Sequence, residues 1–205
     1  MHIVDGALAN EVVIGGAALA VGGVALGLKA LPLEKIPAAG VLAATFFVAS
    51  LIHVPVGPSS VHLILNGLAG LVLGWAAFPA LFVGLLLQAV FFGYGGFTVL
   101  GVNTVNIALP AVLVGIVFGP LIARGSPVMA AIWAGIGGAL AIAGTTLMVA
   151  LALMFSGDAF LAAAHFVLFA HLPIVAVEAL LSAAAVYLAC QVKPDLFRTI
   201  RGART

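Results

Sequence analysis

Charged residues are scarce in this chain: only 6% of its 205 residues are charged, whereas 65% are hydrophobic. The mean hydropathy of +1.37 is far above what a water-soluble fold requires. The net charge is only +1, so the chain has no basic face for nucleic acid. Strands with alternating apolar and polar residues are also missing, which favours helices over a barrel. The composition therefore predicts an all-α integral membrane protein in a lipid bilayer.

Three further absences narrow the interpretation. The single cysteine, Cys190, cannot form an internal disulfide and is expected to serve packing. The sequence has no G-x-x-x-x-G-K-[ST] motif, so the chain is not expected to hydrolyse ATP itself. No Lys or Arg precedes Lys29, so the start lacks the basic region of a signal peptide. We therefore expect an uncleaved N-terminus in which Met1 carries a free amine next to His2.

The apolar runs predict seven transmembrane helices in one domain over residues 1–205. A polar N-terminal segment, 1–7, precedes them, and a basic tail, 193–205, follows. Prolines lie near the expected breaks, as helix punctuation should. The helices are expected at about 8–29, 38–53, 61–75, 79–93, 103–123, 127–155 and 166–192.

The basic residues predict the orientation, because cytoplasmic segments carry an excess of Lys and Arg. With seven spans, an outside N-terminus and a cytoplasmic C-terminus, all seven basic residues lie on the cytoplasmic side. Four polar segments, MHIVDG, HVPVGPSSVH, GYGGFTVLGVN and the one that begins SGDAF, then lie on the outer face. The basic residues are Lys29, Lys35, Arg124, Lys193, Arg198, Arg201 and Arg204.

Glycine is frequent inside the predicted helices. Gly23 and Gly27, like Gly70 and Gly74, have the small-xxx-small spacing that allows close contact between membrane helices. This pattern indicates either internal packing or a surface for a membrane partner. No duplicated segment is visible, which disfavours an inverted-repeat transporter.

A free amine followed by a histidine at position two is a metal chelator by itself. The amine of Met1, the deprotonated amide nitrogen of His2 and its imidazole Nδ1 can bind one metal and close two nearly unstrained chelate rings. These three nitrogens lie in one plane, and one more imidazole would complete a planar four-nitrogen site. That geometry suits Ni(II), Cu(II) or low-spin Co(II). The alternative is a terminal histidine that frays in water.

The fourth nitrogen is expected from the outer face, where His53 and His62 bracket one polar segment. His62 is predicted to open a helix that Ser59 and Ser60 cap, and the N-terminus of that helix would keep its ring neutral. Asn66, one turn further along, is predicted to share its face and support it. The alternative for His62 is an ordinary polar residue at a helix start.

Four stretches carry a resemblance to a known family. They are MHIVDG at the start, GPSSVHLILNGLAGLVLGWAA (57–77), LLLQAVFFGYGGFTVLGVNTVNIALPAV (85–112) and HLPIVAVEALLSA (171–183). Together they resemble the CbiM/NikM family, the substrate-binding S components of energy-coupling-factor (ECF) transporters for cobalt and nickel. The likeness covers nearly the whole chain, and the initial Met-His pair is specific to the family.

The resemblance implies a fold of six core helices with one extra N-terminal helix. It implies that Met1, His2 and His62 bind Co²⁺ or Ni²⁺ as transported substrate, and it assigns no role to His53. The implied partners are a transmembrane coupling protein, two ATPase subunits and a small auxiliary membrane protein, in the inner or cell membrane of a bacterium or archaeon. The resemblance favours cobalt uptake for cobalamin synthesis, with a nickel-specific component as the alternative.

Other polar residues are candidates for supporting the site. Gln88, Asn103 and Asn106 flank a Gly-rich outer segment that, by resemblance, folds over the metal; the alternative is helix capping and interhelical hydrogen bonding. Asp5 is expected to hold the N-terminal segment by hydrogen bonds. His165 has no assigned role.

Glu178 is the only acid well inside a predicted span, and carboxylates there are costly and functional. It is expected to orient the site or the N-terminal segment, with direct metal binding as the alternative. His171 lies two turns earlier on roughly the same face.

Two other functions are alternatives to metal uptake. An intramembrane serine protease would need Ser59 or Ser60 as a nucleophile with a nearby base, but GPSSVH is not a nucleophile elbow. A gradient-driven metal channel or carrier is the stronger alternative. A planar chelate binds tightly, however, and suits capture rather than rapid permeation.

Overall fold

The structure of the chain, a computed structural model, describes residues 2–51, 53–56, 59–193 and 195–198. Most of these residues are helical, and a short hairpin interrupts the helices. The helices are α1 (Asn10–Lys29), α2 (Ile36–Ala49), α3 (Asn66–Leu73), α4 (Ala77–Phe92), α5 (Leu100–Arg124), α6 (Pro127–Met154), α7 (Leu161–Ala170), α8 (Leu172–Val192) and α9 (Asp195–Arg198), and the strands are β1 (His53–Val56) and β2 (Ser59–His62).

Five segments of the described chain are long and apolar enough to cross a membrane, as the composition predicts. The protein is therefore a helical, multi-pass membrane protein. One of these segments, Asn66–Phe92, is not a continuous α-helix, because a 3₁₀ turn, Gly74–Ala76, separates α3 from α4. Gly74 has φ +58°, a value that L side chains rarely adopt, and it ends α3.

Helices α3, α5, α6 and α8 form the closely packed part of the bundle. Their contacts use glycine to bring backbones together. A Cβ on Gly70 of α3 would overlap the carbonyl oxygen of Ala111 in α5, and one on Gly67 would meet the Cα of Gly138 in α6 at 2.8 Å. Contacts this close are available only to glycine.

Two glycines of α1, Gly23 and Gly27, pack inward. A side chain on Gly23 would collide with the ring of Phe78, and one on Gly27 would collide with Pro79 and the carbonyl of Trp75. The spacing of Gly23 and Gly27 therefore serves internal packing.

The segment 53–62 differs from its prediction. The sequence predicts a helix ending near residue 53, a loop, and a helix starting near residue 61. The structure ends α2 at Ala49, pairs His53 with His62 in an antiparallel hairpin, and begins α3 at Asn66. The β-branched residues and Pro55 explain this, since valine favours strands and proline breaks helices.

The predicted helix 166–192 is also wrong in outline, because it is divided into α7 and α8 at His171. Pro173 stands at the start of α8. Proline has no N–H, and its ring collides with the carbonyl of the residue four positions earlier, here Phe169. Because this helix is divided, the helices of the structure do not confirm the predicted count of seven membrane spans.

The packing predicts different effects for two equivalent substitutions. Gly70→Ala places a methyl group on the Ala111 carbonyl and should destabilise the fold by about 2–3 kcal/mol, as overpacking does. Gly22→Ala, where a Cβ meets nothing within 4 Å, should leave the thermal unfolding midpoint in detergent unchanged or slightly higher. Equal midpoints for the two variants would show that the α3–α5 contact is not this close.

Candidate metal centre

The N-terminal segment lies inside the bundle rather than in solvent. His2 is 3% exposed and Ile3 is completely buried. The main chain of Ile3 is paired twice with one side chain of α5: its N–H donates to Asn103 Oδ1 at 3.0 Å, and its carbonyl accepts from Asn103 Nδ2 at 3.0 Å. A buried segment without secondary structure needs such partners. His2 is therefore held in place and is not frayed.

Asp5 fastens the same segment to the loop before α5. Its N–H donates to the carbonyl of Gly95 at 2.9 Å. Its Oδ1 accepts from the N–H of Thr98 at 3.0 Å, from the Thr98 hydroxyl at 2.6 Å and from the N–H of Val99 at 3.4 Å. Asp5 thus fixes the turn that leads into α5. Its prediction as a holder of the N-terminal segment agrees with these contacts.

The imidazoles of His2 and His62 meet in the interior. The distance from His62 Nε2 to His2 Nδ1 is 3.1 Å, and the rings stack with centroids 4.6 Å apart and an interplanar angle of 23°. The ring of Tyr94, from the Gly-rich loop, lies 6.4 Å from that of His2. The hairpin delivers His62, because β2 ends at this residue.

The tautomer of His62 follows from its second nitrogen. Nδ1 lies 2.8 Å from the carbonyl oxygen of Leu63. A carbonyl can only accept, so Nδ1 carries the proton and Nε2 presents its lone pair to His2. Burial lowers the pKa of His62 well below its ordinary value, and the positive charge of the terminal amine and the proximity of His2 lower it further. The ring is therefore neutral, as metal ligation requires.

The expectation that a helix N-terminus keeps His62 neutral is wrong, because His62 ends a strand and α3 begins four residues later. For the same reason Asn66 does not share a helical face with His62. The Asn66 side chain instead donates to the carbonyl of Ile107 at 2.8 Å and to the hydroxyl of Thr145 at 2.9 Å. It connects α3 to α5 and α6 below the histidine pair.

Glu178 of α8 contacts the segment that follows His62. One carboxylate oxygen accepts from the N–H of Ile64 at 2.5 Å and from the N–H of Leu65 at 2.8 Å, and the other accepts from Leu65 at 3.0 Å. Leu65 has φ +55°, the only positive φ of a non-glycine residue in the described chain. The carboxylate compensates the two N–H groups that this turn leaves without main-chain partners.

The remaining predicted residues lie elsewhere or outside the described part of the chain. Gln88 donates to the carbonyl of Phe47 and to the Ser50 hydroxyl, joining α4 to α2. Asn106 is buried, and its Nδ2 finds no partner among the described residues. His171 Nδ1 is 2.7 Å from the Val167 carbonyl. His165 is exposed, Met1 lies outside the described residues, and so do the side chains of His53 and Ser60.

Sequence reasoning missed three contributors: the carbonyl of Leu63, the hydroxyl of Thr98 and the ring of Tyr94. None has a spacing that marks it, because Leu63 acts through its main chain on His62, and Thr98 and Tyr94 act on the inserted N-terminal segment. Within residues 2–51, 53–56, 59–193 and 195–198, no group of three or more His, Cys, Asp or Glu side chains is placed to hold a metal.

The helical bundle defines a multi-pass membrane protein, and two imidazoles meet in its interior. The family described as the cobalt uptake substrate-specific transmembrane region matches residues 2–196. The chain belongs to this family of metal uptake proteins, in which the metal ion is the transported substrate.

Relatives agree with this assignment. A Haemophilus influenzae protein with the provisional name of a metal transport protein is 42% identical over 203 residues, covering 96% of each chain. A fused nickel transport protein of Rhodobacter capsulatus is 39% identical over 92 residues, which cover 44% of this chain and 24% of that protein. A solved truncated transition metal transporter has a TM-score of 0.71 at 25% identity and covers 95% of this chain and 99% of its own.

The contacts of Ile3 predict that Asn103 keeps the N-terminal segment inserted. Asn103→Ala removes two buried hydrogen bonds and should cost about 1–3 kcal/mol. Amide hydrogen exchange in residues 2–9 should therefore become about 10- to 100-fold faster. Gln88→Ala is the matched control, since it removes an equally buried amide that contacts α2 instead. Unchanged exchange in Asn103→Ala would show that other contacts hold the segment.

Proposed function

We propose that the chain captures Co²⁺ or Ni²⁺ with four nitrogens: the amine of Met1, the amide nitrogen and Nδ1 of His2, and Nε2 of His62. The observation that carries this proposal is the 3.1 Å separation of the two imidazole nitrogens. With metal–nitrogen bonds of about 2.0–2.1 Å, neighbouring corners of a square lie ~2.8–3.0 Å apart. The two ring nitrogens are therefore spaced as neighbouring ligands. In the proposed square, amine, amide and His2 Nδ1 take three successive corners, so His62 Nε2 must take the corner next to His2 Nδ1.

The protonation of the pair also supports metal capture. Since His62 Nδ1 donates to Leu63, the hydrogen between the two rings belongs to His2 Nδ1 and points at His62 Nε2. A divalent metal would take the place of this hydrogen and bind both nitrogens, and the proton of His2 would move to Nε2, which keeps the ring neutral. Binding also displaces protons from the amine and the amide, so affinity should fall in acid.

The packing below the pair favours capture over permeation. Beneath Asn66, α3 contacts α5 and α6 through Gly67 and Gly70 at backbone distance. An open pore would need space for an ion there, and glycine contacts at backbone distance leave none between these helices. This disfavours a gradient-driven channel and leaves release to a step that rearranges the bundle.

We infer that this step is driven by partners, in an ECF transporter that contains a coupling protein, two ATPases and a small auxiliary membrane protein. The chain has no nucleotide-binding loop of its own. Its role is then the S component in a bacterial or archaeal cell membrane, with cobalt for cobalamin synthesis as the substrate and nickel as the alternative. Metal uptake by cells that requires co-expressed ATPases would test the coupling.

The proposal predicts that the position of His2 matters as much as its identity. One residue added before Met1 removes the five-membered amine–amide ring while leaving every side chain in place, and tight binding should be lost. His2→Ala should also abolish it. His62→Ala should leave three donors and weaken binding strongly, and His53→Ala should matter little. Titration of the purified protein with Ni²⁺ and Co²⁺ measures these affinities.

N-terminal acetylation is the matched control for the extension, because it removes the amine without adding a residue. Both changes should have the same effect. Affinity that survives the extension at the value of the unmodified protein would falsify the chelate.

The outside position of the N-terminus is a further part of the proposal. The Lys35 ammonium donates to the carbonyl of Val72 near the end of α3. The C-terminal end of α3 therefore lies on the same side of the bundle as Lys35, the side that we propose to be cytoplasmic. In a background with Cys190→Ser, Asp158→Cys should react with an impermeant thiol reagent from outside, and Arg201→Cys only after permeabilisation. The reverse labelling pattern would overturn the orientation.

A further inference from the structure

The peptide group between Leu63 and Ile64 is hydrogen-bonded on both of its sides. Its carbonyl accepts from His62 Nδ1 at 2.8 Å, and its N–H donates to Glu178 Oε1 at 2.5 Å. A single peptide therefore connects the carboxylate of α8 to the imidazole of β2. The carboxylate and the imidazole do not need to touch for this connection.

We infer that Glu178 is a positioning residue for the metal, acting on His62 through this peptide as a carboxylate–peptide–imidazole relay. The inference rests on the proposed function, because it concerns the donor strength of His62 Nε2. A ligating histidine commonly donates its other N–H to a carboxylate or a carbonyl, which fixes the tautomer and makes the ring more basic. Here the Leu63 carbonyl accepts from the His62 ring, and the Glu178 carboxylate accepts from the N–H of the same peptide group.

The relay acts by polarisation and by geometry. A negative charge on the N–H side of a peptide increases the negative charge on its oxygen, and hydrogen bonds in series strengthen one another. The Leu63 oxygen then attracts the Nδ1 proton more strongly, and the electron density at Nε2 rises. The second oxygen of Glu178 accepts from Leu65, whose left-handed backbone makes the turn that leads into α3.

The burial of Glu178 supports a function beyond packing. Its side chain is completely buried, and its described partners are both peptide N–H groups of the segment after His62. A carboxylate in a membrane span is costly. An apolar residue and a different turn would satisfy the fold without that cost, whereas the relay needs a fixed negative charge.

Two variants separate geometry from charge. Glu178→Gln keeps an oxygen that can accept from Ile64 and Leu65 but removes the charge, whereas Glu178→Ala removes both. Titration with Ni²⁺ should show affinity decreasing from the unmodified protein to Glu178→Gln and then to Glu178→Ala, with a total loss of about 10- to 100-fold. The visible absorption band of the bound Ni²⁺ should move to longer wavelength in Glu178→Gln, because a weaker donor gives a weaker ligand field.

Ser182→Ala is the control on the same helix. Ser182 is buried one turn after Glu178, and its hydroxyl has no partner among the described residues. This variant should bind Ni²⁺ with unchanged affinity and an unchanged absorption band. A purely structural role of Glu178 predicts no band shift in Glu178→Gln.

The connection through His62 is tested by a double-mutant cycle. In a His62→Ala background, Glu178→Gln should cause no further loss of Ni²⁺ affinity. If its effect has the same size in both backgrounds, Glu178 does not act through His62 and the relay is overturned. Failure of the unmodified protein to bind Ni²⁺ would instead contradict the proposed function.

The tautomer gives a test that needs no variant at position 178. Imidazole ¹⁵N shifts of the full-length protein, assigned with His62→Ala, should show His62 protonated at Nδ1 before metal is added. Protonation at Nε2 would exclude the hydrogen bond to Leu63 and overturn the relay even if the Glu178 variants do not fold.

Discussion

The hydrogen-bonded pair between Ile3 and Asn103 is the interaction on which the site depends. A membrane interior offers no water to an unpaired peptide group, so a chain end can enter the bundle only if side chains satisfy it. Asn103 pairs with both polar groups of Ile3, Asp5 reaches the start of α5, and Ser156 accepts from the N–H of Ala9. These contacts place His2 where His62 can meet it. The helices would pack without them, but the two imidazoles would not come together.

The depth of the site follows from the short helix α3. Its eight residues extend about 12 Å, half the length of α4 with its 16. Asn66, the first residue of α3, contacts Ile107, which lies about 10 Å along α5 from the N-terminal end of that helix. The hairpin therefore has to descend from the end of α2 to the start of α3, and it carries His62 with it. A full-length helix in place of α3 would leave the histidine near the surface.

The sequence predicted the helical class, and it predicted that His2 and His62 come together, but it failed on the local structure around His62. The proposed chelating role of His2 depends only on its position next to the terminal amine, so it could be predicted without the fold. The expected helix start at His62 was wrong because valines and a proline favour a hairpin there. In an apolar chain these residues are easily taken for part of a membrane helix. Asn103 and Asp5 act as anchors because the N-terminal segment folds back into the bundle, and no periodicity in the sequence predicts this fold. The role of Glu178 is visible only once α8 is placed beside the turn at Leu65.

Preorganisation connects these contacts to capture. A chelating peptide in water must order its backbone when it binds a metal, and that ordering weakens binding. In this protein the contacts of Ile3 and Asp5 hold the segment with His2 Nδ1 already 3.1 Å from His62 Nε2, so little ordering remains. The same contacts oppose release, because moving His2 away from His62 requires separating Ile3 from Asn103 or displacing the turn at Ile64 and Leu65 from Glu178. Two of the four proposed donors belong to the main chain, which no side-chain substitution can remove. Release is therefore more readily controlled by moving the helices that hold the segments than by changing the ligands, and this is the kind of control that a membrane partner can exert.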